Sequence, residues 1–213
     1  MLCWGRLGPP HESRRHTGCR CGEIAIALID TALTEFQIVG AELRAAGLVS
    51  SHGGNLSIWT PDGTLITGEG AMLGRLGAGD LCLIGRTTLP PHVDPSLDAP
   101  IHRAAYALSD ARAIVHAHPA HAVALAFDRN ELLPHDNEGR LLLGRVPVLV
   151  HARDIVRQVG EALAERTAVL VRGHGCYVRG ADLGEALRHA TQLEESARLL
   201  FLRHQLARVA LPS

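Results

Sequence analysis

A short apolar run ending in two alternate histidines, Ala113-Ile114-Val115-His116-Ala117-His118, constrains this chain more than any other feature. Ala113 to Val115 reads as a buried strand that stops where the histidines begin. On an extended backbone residues i and i+2 point the same way, so His116 and His118 present both imidazoles on one face. Two imidazoles so placed form one edge of a tetrahedral metal site, and imidazole is a common Zn²⁺ ligand. The competing reading is a pair of surface histidines in a chain that holds 13 of them.

A second apolar run, Ala168-Val169-Leu170-Val171, leads through Arg172 and Gly173 to His174 and Gly175. Glycine on both sides lets the backbone turn sharply and approach a bound group closely. Two ligands at one strand end and a third at another make a catalytic type of zinc site, with a coordination position left open. Upstream, Asp98 and His102 stand at i, i+4 and share a face if the segment is helical. Asp98 reads either as a simple helix-start acid, with Pro100 tolerated in the first turn, or as a carboxylate beside the metal acting as base, acid or fourth ligand.

Composition narrows the classes. A length of 213 residues suits one domain with a core of its own. Aromatic residues make up only 3%, so that core must be aliphatic. The net charge is −1 with scattered basic residues, which argues against nucleic acid as a partner. No apolar run reaches membrane-spanning length, so no membrane association is expected. Five cysteines without a second pair beside Cys19 and Cys21 argue against a structural zinc site and read as free thiols of a cytoplasmic protein. All 21 basic residues are arginine, so a lysine-imine mechanism is excluded. Residues 1–22 are rich in Gly, Pro, Arg and His without periodicity and read as a disordered tail; residues 23–213 read as one domain.

Within that domain, apolar spacing predicts helices over Glu23 to Ala46, Ala99 to Leu108, from Ala120, over Asp154 to Glu165 and over Ala181 to Leu206. Extended runs occupy Leu56 to Thr60, Thr64 to Thr67, Leu81 to Ile84, Ala113 to Val115, Val146 to Val150, Thr167 to Val171 and Cys176 to Val178. Pro61-Asp62-Gly63 is a hairpin signal between the first two. The alternation predicts an α/β layered domain with a mixed, largely antiparallel sheet.

The run Gly47-Leu48-Val49-Ser50-Ser51-His52-Gly53-Gly54-Asn55-Leu56-Ser57 resembles the opening block of the class II aldolase/adducin family. Further blocks follow in family order: Ile66-Thr67 with Gly70, a carboxylate four residues before His102, Val115 to His118, and Leu170 with His174-Gly175. The runs Gly70-Ala71-Met72-Leu73 and Asp136-Asn137-Glu138-Gly139 are similar to the L-fuculose-phosphate aldolase branch. The resemblance implies a three-layer α/β/α subunit assembled as a homotetramer. It implies that His116, His118 and His174 bind Zn²⁺ or another divalent transition metal, and that Asp98 is catalytic. Asn55, Gly70 and Ser96 match substrate- and phosphate-binding positions, and His102 stands behind Asp98. The implied activity is that of a carbohydrate-metabolism lyase, an aldolase that cleaves a small ketose phosphate or related hydroxycarbonyl compound through a metal-stabilised enediolate. Epimerase, dehydratase and decarboxylase relatives share the metal site, and an adducin-like module keeps the fold for protein contacts.

The chain departs from the family pattern in three places. Asp98 replaces glutamate and shortens the reach by about 1.5 Å. Glu69 and Leu97 stand where hydroxyl side chains are usual, with Arg75 and Arg172 as cations that could offset Glu69. The tyrosine expected after the His-x-His block has no counterpart in Leu133 to Glu138. Leu183, Leu187, Leu193, Ala197 and Leu200 on the last helix read as an assembly surface.

Overall fold

A computed structural model describes residues 18–85 and 93–209, with side chains from residue 27 onward. In chain order the elements are α1 (Gly18–Ala45), β1 (Asn55–Thr60), β2 (Gly63–Thr67), β3 (Leu81–Gly85), α2 (Ala99–Leu108), β4 (Ala113–Ala117) and α3 (Ala120–Ala126). They continue with β5 (Glu131–Leu132), α4 (Asn137–Leu142), β6 (Val146–Leu149), α5 (Ile155–Glu165), β7 (Ala168–Val171), β8 (Gly175–Gly180) and α6 (Leu183–Arg208).

Helix α1 buries Phe36, Val39 and Leu43, spaced along one face. It ends in a Schellman motif: Gly47 takes φ +71°, its N–H donates to Arg44 O, and Leu48 N–H donates to Leu43 O. This stop sets down Leu48 and the loop that leads into the site. The helix starts at Gly18 rather than Glu23, so the expected tail is helical in its last residues; residues 1–17 lie outside the described residues. After β1 the chain reverses through Pro61-Asp62, with Thr60 paired to Gly63. Gly63 has no substitute there, because a Cβ would come within 2.3 Å of Ile84 O on β3.

The eight strands form one sheet in the order β3-β2-β1-β4-β8-β7-β6-β5. Only the β6–β7 pair is parallel; the other described pairs are antiparallel. Side-chain alternation splits the core into two layers. Ala113, Val115 and Ala117 of β4 join Phe36 and Leu43 of α1 and Leu193 and Ala197 of α6 on one face. Ile114 joins Val169, Val171 and Tyr177 against Ile101 of α2 and Val159 and Leu163 of α5 on the other. The result is the expected three-layer α/β/α arrangement with a mixed, largely antiparallel sheet.

Two short elements escape the sequence patterns: β5, of two residues, and α4, capped by Asp136 accepting from Gly139 N–H at 2.7 Å. The expected assembly surface is corrected. Leu183, Leu193, Ala197 and Leu200 are buried in the subunit's own core, with Leu187 packed against it. The large apolar residues that α6 leaves exposed are Leu199, Phe201, Leu202 and Leu206. Among the described residues no helix is long and apolar enough to cross a membrane.

Candidate active site

Three adjacent central strands carry the site. Their register sets Asn55 of β1 opposite His116 of β4, and His116 opposite Tyr177 of β8. His118 lies just past the end of β4, where its backbone N–H donates to Leu48 O at 2.7 Å. His174 sits in the β7–β8 turn, its N–H donating to Val171 O at 3.0 Å, while Gly173 takes φ +69° to make that turn.

One ring nitrogen from each of His116, His118 and His174 lies within 4.8 Å of the others. His116 Nδ1 lies 2.9 Å from Cys176 O, a contact only an N–H can satisfy, so this pairing assigns the proton to Nδ1 and a lone pair to Nε2. That Nε2 lies 3.0 Å from His118 Nε2. Two imidazole nitrogens on one tetrahedral Zn²⁺ would stand about 3.4 Å apart for bonds of about 2.05 Å. The His116–His118 pair therefore has nearly the spacing of two ligands on one ion, and with His174 the three could hold it. Burial pushes His116 down to about 3, with Asp98 opposing and the two other histidines adding to the shift. Burial and His174 likewise lower His118. Both rings are thereby kept in the neutral form that binds metal.

Gly175 makes the close approach possible. A Cβ there would come within 2.4 Å of Ala117 O, 2.7 Å of His118 Cδ2 and 2.9 Å of His116 Cε1. The glycine after His174 therefore keeps the site open where the two strand ends meet.

Asp98 is the residue before α2, yet its side chain makes no capping bond with its own helix. Its Oδ2 accepts from Asn55 Nδ2 at 2.9 Å and lies 3.6 Å from His116 Nε2. The side chain thus lies at the histidine cluster instead of capping its own helix. Burial works against its charged form, but His116, the Asn55 amide, His102 and the Tyr177 phenol together hold it below the ordinary carboxylate range.

Tyr177 belongs to this site, and sequence reasoning missed it. Its ring stacks on His116 with centroids 4.3 Å apart, and its hydroxyl lies 3.3 Å from His174 Nε2. Burial, reinforced by the Asp98 charge, raises its pKa and keeps the phenol protonated.

His102 is placed differently from expectation. It is fully buried, and its Nδ1 pairs with Ser57 Oγ at 2.7 Å, which in turn pairs with Tyr106 OH at 2.7 Å. Its Nε2 has no hydrogen-bond partner. The group that orients Asp98 by a hydrogen bond is thus Asn55, while His102 acts on it only through space. Burial lowers His102 to about 4.

The triad and Asp98 open onto a cavity of about 240 Å³, which Asn55, Glu69, Gly70, Ser96 and Leu97 also line. Gly70 takes φ +68°. Ser96 Oγ accepts from Asp98 N–H at 3.2 Å, and Glu69 Oε2 accepts from Leu97 N–H at 3.0 Å. Neither expected cation reaches Glu69 here. Arg172 is engaged by Ala126 O, Arg129 O and Asn130 Oδ1, and Arg75 contacts Met72 Sδ beside a neighbouring cavity.

This chain belongs to the class II aldolase family: the family model for the Class II Aldolase and Adducin N-terminal domain matches residues 35–201. Among curated relatives, the 3-oxo-tetronate 4-phosphate decarboxylase of Pectobacterium atrosepticum is 30% identical over 202 residues, covering 89% of this chain and 91% of the relative. The methylthioribulose-1-phosphate dehydratase of Granulibacter bethesdensis is 31% identical over 179 residues, covering 73% of this chain and 84% of the relative. Among solved structures, the L-fuculose-1-phosphate aldolase of Thermus thermophilus superposes with a TM-score of 0.77 at 38% identity, over 89% of this chain and 99% of that one. The chain is an enzyme of this superfamily.

Proposed function

We propose that the protein is a metal-dependent carbon–carbon lyase acting on a small hydroxycarbonyl compound, by aldol cleavage or by the closely related loss of a carboxylate. The observation that carries this reading is the Asp98 carboxylate, held by Asn55 at 2.9 Å and set 3.6 Å from His116 Nε2 in the open cavity. His116, His118 and His174 would hold Zn²⁺ or another divalent transition metal, which when bound supplies an electron sink for a carbonyl. Asp98 moves the proton at the carbon or hydroxyl beside that carbonyl. Asn55 keeps the carboxylate turned towards the histidines. The Tyr177 phenol, protonated and beside His174, helps to hold Asp98 in its charged form.

Support for the lyase reading also comes from the names of the relatives, which include an aldolase and a decarboxylase. The dehydratase relative favours a second reading, elimination of water from the same type of compound with the same proton-transfer group. An adducin-like module without catalysis has no use for a convergent histidine triad beside a held carboxylate. Assembly as a homotetramer is part of the proposal, with Leu199, Leu202 and Leu206 of α6 as the apolar stripe available for it.

The test is metal analysis of the purified protein, followed by a panel of ketoses and hydroxy-keto acids, each with and without phosphate, with aldehyde, CO₂ and water loss read separately. Aldehyde or CO₂ release that requires the metal supports the reading. Water loss alone selects the dehydratase, and no metal after reconstitution overturns both.

A further inference from the structure

We propose that Glu69 determines specificity, and that the compound this site takes ends, on the Glu69 side of the cavity, in an uncharged hydroxyl rather than in a phosphate. This rests on the reading above that a hydroxycarbonyl compound reacts in the cavity. The start of α2 opens onto that cavity through Ser96, Leu97 and Asp98. Free N–H groups at a helix start are a ready seat for an anion. Here the chain fills the seat itself. Leu97 N–H is taken by Glu69 Oε2 at 3.0 Å, Asp98 N–H by Ser96 Oγ at 3.2 Å, and Ala99 N–H by Ser96 O at 2.9 Å.

Charge points the same way. Glu69 and Asp98 put two carboxylates on one cavity of about 240 Å³. Among the described residues no arginine lines it, and the sequence contains no lysine. A phosphate dianion would have to displace the Glu69 carboxylate from Leu97 N–H and remain beside it. A hydroxyl instead donates to that carboxylate in a charge-assisted hydrogen bond. Although the relatives described above are named for phosphorylated compounds, the charge of this chain's own cavity favours the neutral end.

The experiment compares kcat/KM for matched compounds with and without a terminal phosphate, in wild type, Glu69→Gln and Glu69→Ser. In parallel, the metal-loaded proteins are titrated with inorganic phosphate by calorimetry. Wild type is expected to favour the unphosphorylated member. Both variants should shift the ratio at least tenfold towards phosphate, about 1.4 kcal/mol, and bind inorganic phosphate at least tenfold more tightly. A wild type that favours the phosphorylated member, or variants whose phosphate affinity is unchanged, overturns the proposal. If no compound reacts, the lyase reading fails by itself and the phosphate titration decides on Glu69: tightening in both variants upholds its role, and unchanged affinity removes it.

Discussion

Asn55 Nδ2 donates to Asp98 Oδ2 at 2.9 Å, so strand β1 holds the carboxylate at the start of α2. The two residues are 43 positions apart, and the bond crosses from the sheet to the helix layer. Asn55 is itself buried, at 5% exposure, and its Oδ1 has no hydrogen-bond partner, so its amide group is oriented by Asp98 as much as it orients it.

Asp98→Asn should keep the metal and lose turnover by about 10²-fold or more, the usual contribution of a positioned acid or base. Asp98→Glu should retain activity, since it preserves the carboxylate and lengthens its reach. Paired metal analysis and steady-state kinetics check both; wild-type turnover in Asp98→Asn would assign the proton transfer to another group.

His118→Ala should abolish stoichiometric metal binding while leaving the helical content unchanged by circular dichroism. His118 is only partly buried and makes its backbone bond to Leu48 O through the main chain, which the substitution leaves in place. Undiminished metal content in the variant would dissolve the triad.

Gly175→Ala should damage both fold and metal site, because the added Cβ meets a backbone oxygen, Ala117 O, at 2.4 Å and both histidines of the β4 segment within 3 Å. Overpacking of this kind costs about 1–3 kcal/mol, a fall in Tm of roughly 2–12 °C for a chain of this size. Gly70→Ala is the control: its φ of +68° carries a backbone penalty, yet no atom lies within 4 Å of the new Cβ. Its metal affinity should match wild type, whereas that of Gly175→Ala should fall.

Two substitutions on α6 separate core from assembly. Leu193→Ala removes a fully buried side chain and should cost about 2–5 kcal/mol of stability at any protein concentration. Leu202→Glu changes a residue that is 45% exposed and should leave the subunit folded while lowering the mass found by light scattering. An unchanged mass would place the subunit contact elsewhere.

Much of the layered fold could be read locally. The bounds of α2, Ala99–Leu108, follow from Asp98 and Pro100 at one end and the loss of apolar period at the other. The histidine triad was legible because two of its members alternate along one strand and the third is flanked by glycines. What the sequence hid depends on pairing between distant segments. Strand β5 exists only because Glu131 and Leu132 pair with Pro147 and Val146. Tyr177 enters the site only through the β4–β8 register, three residues after His174 in a run that otherwise reads as core. His102 had the right spacing to support Asp98, but Ser57 on β1 claims its Nδ1.

The cross-strand row Asn55–His116–Tyr177 lies at the centre of an eight-stranded sheet with helices on both sides, whereas Glu69, Gly70 and Leu97 belong to connections at its rim. On the reading proposed above, the sheet-borne row that orients the carboxylate and the rim that meets the end of the substrate are therefore mechanically separable. A rim substitution changes what the enzyme accepts without shifting a strand, while a change in the row must be absorbed by three strands at once. Descent from a common ancestor can then diversify substrates quickly and reactions slowly, and laboratory selection for a new substrate should collect its first successful changes at the rim.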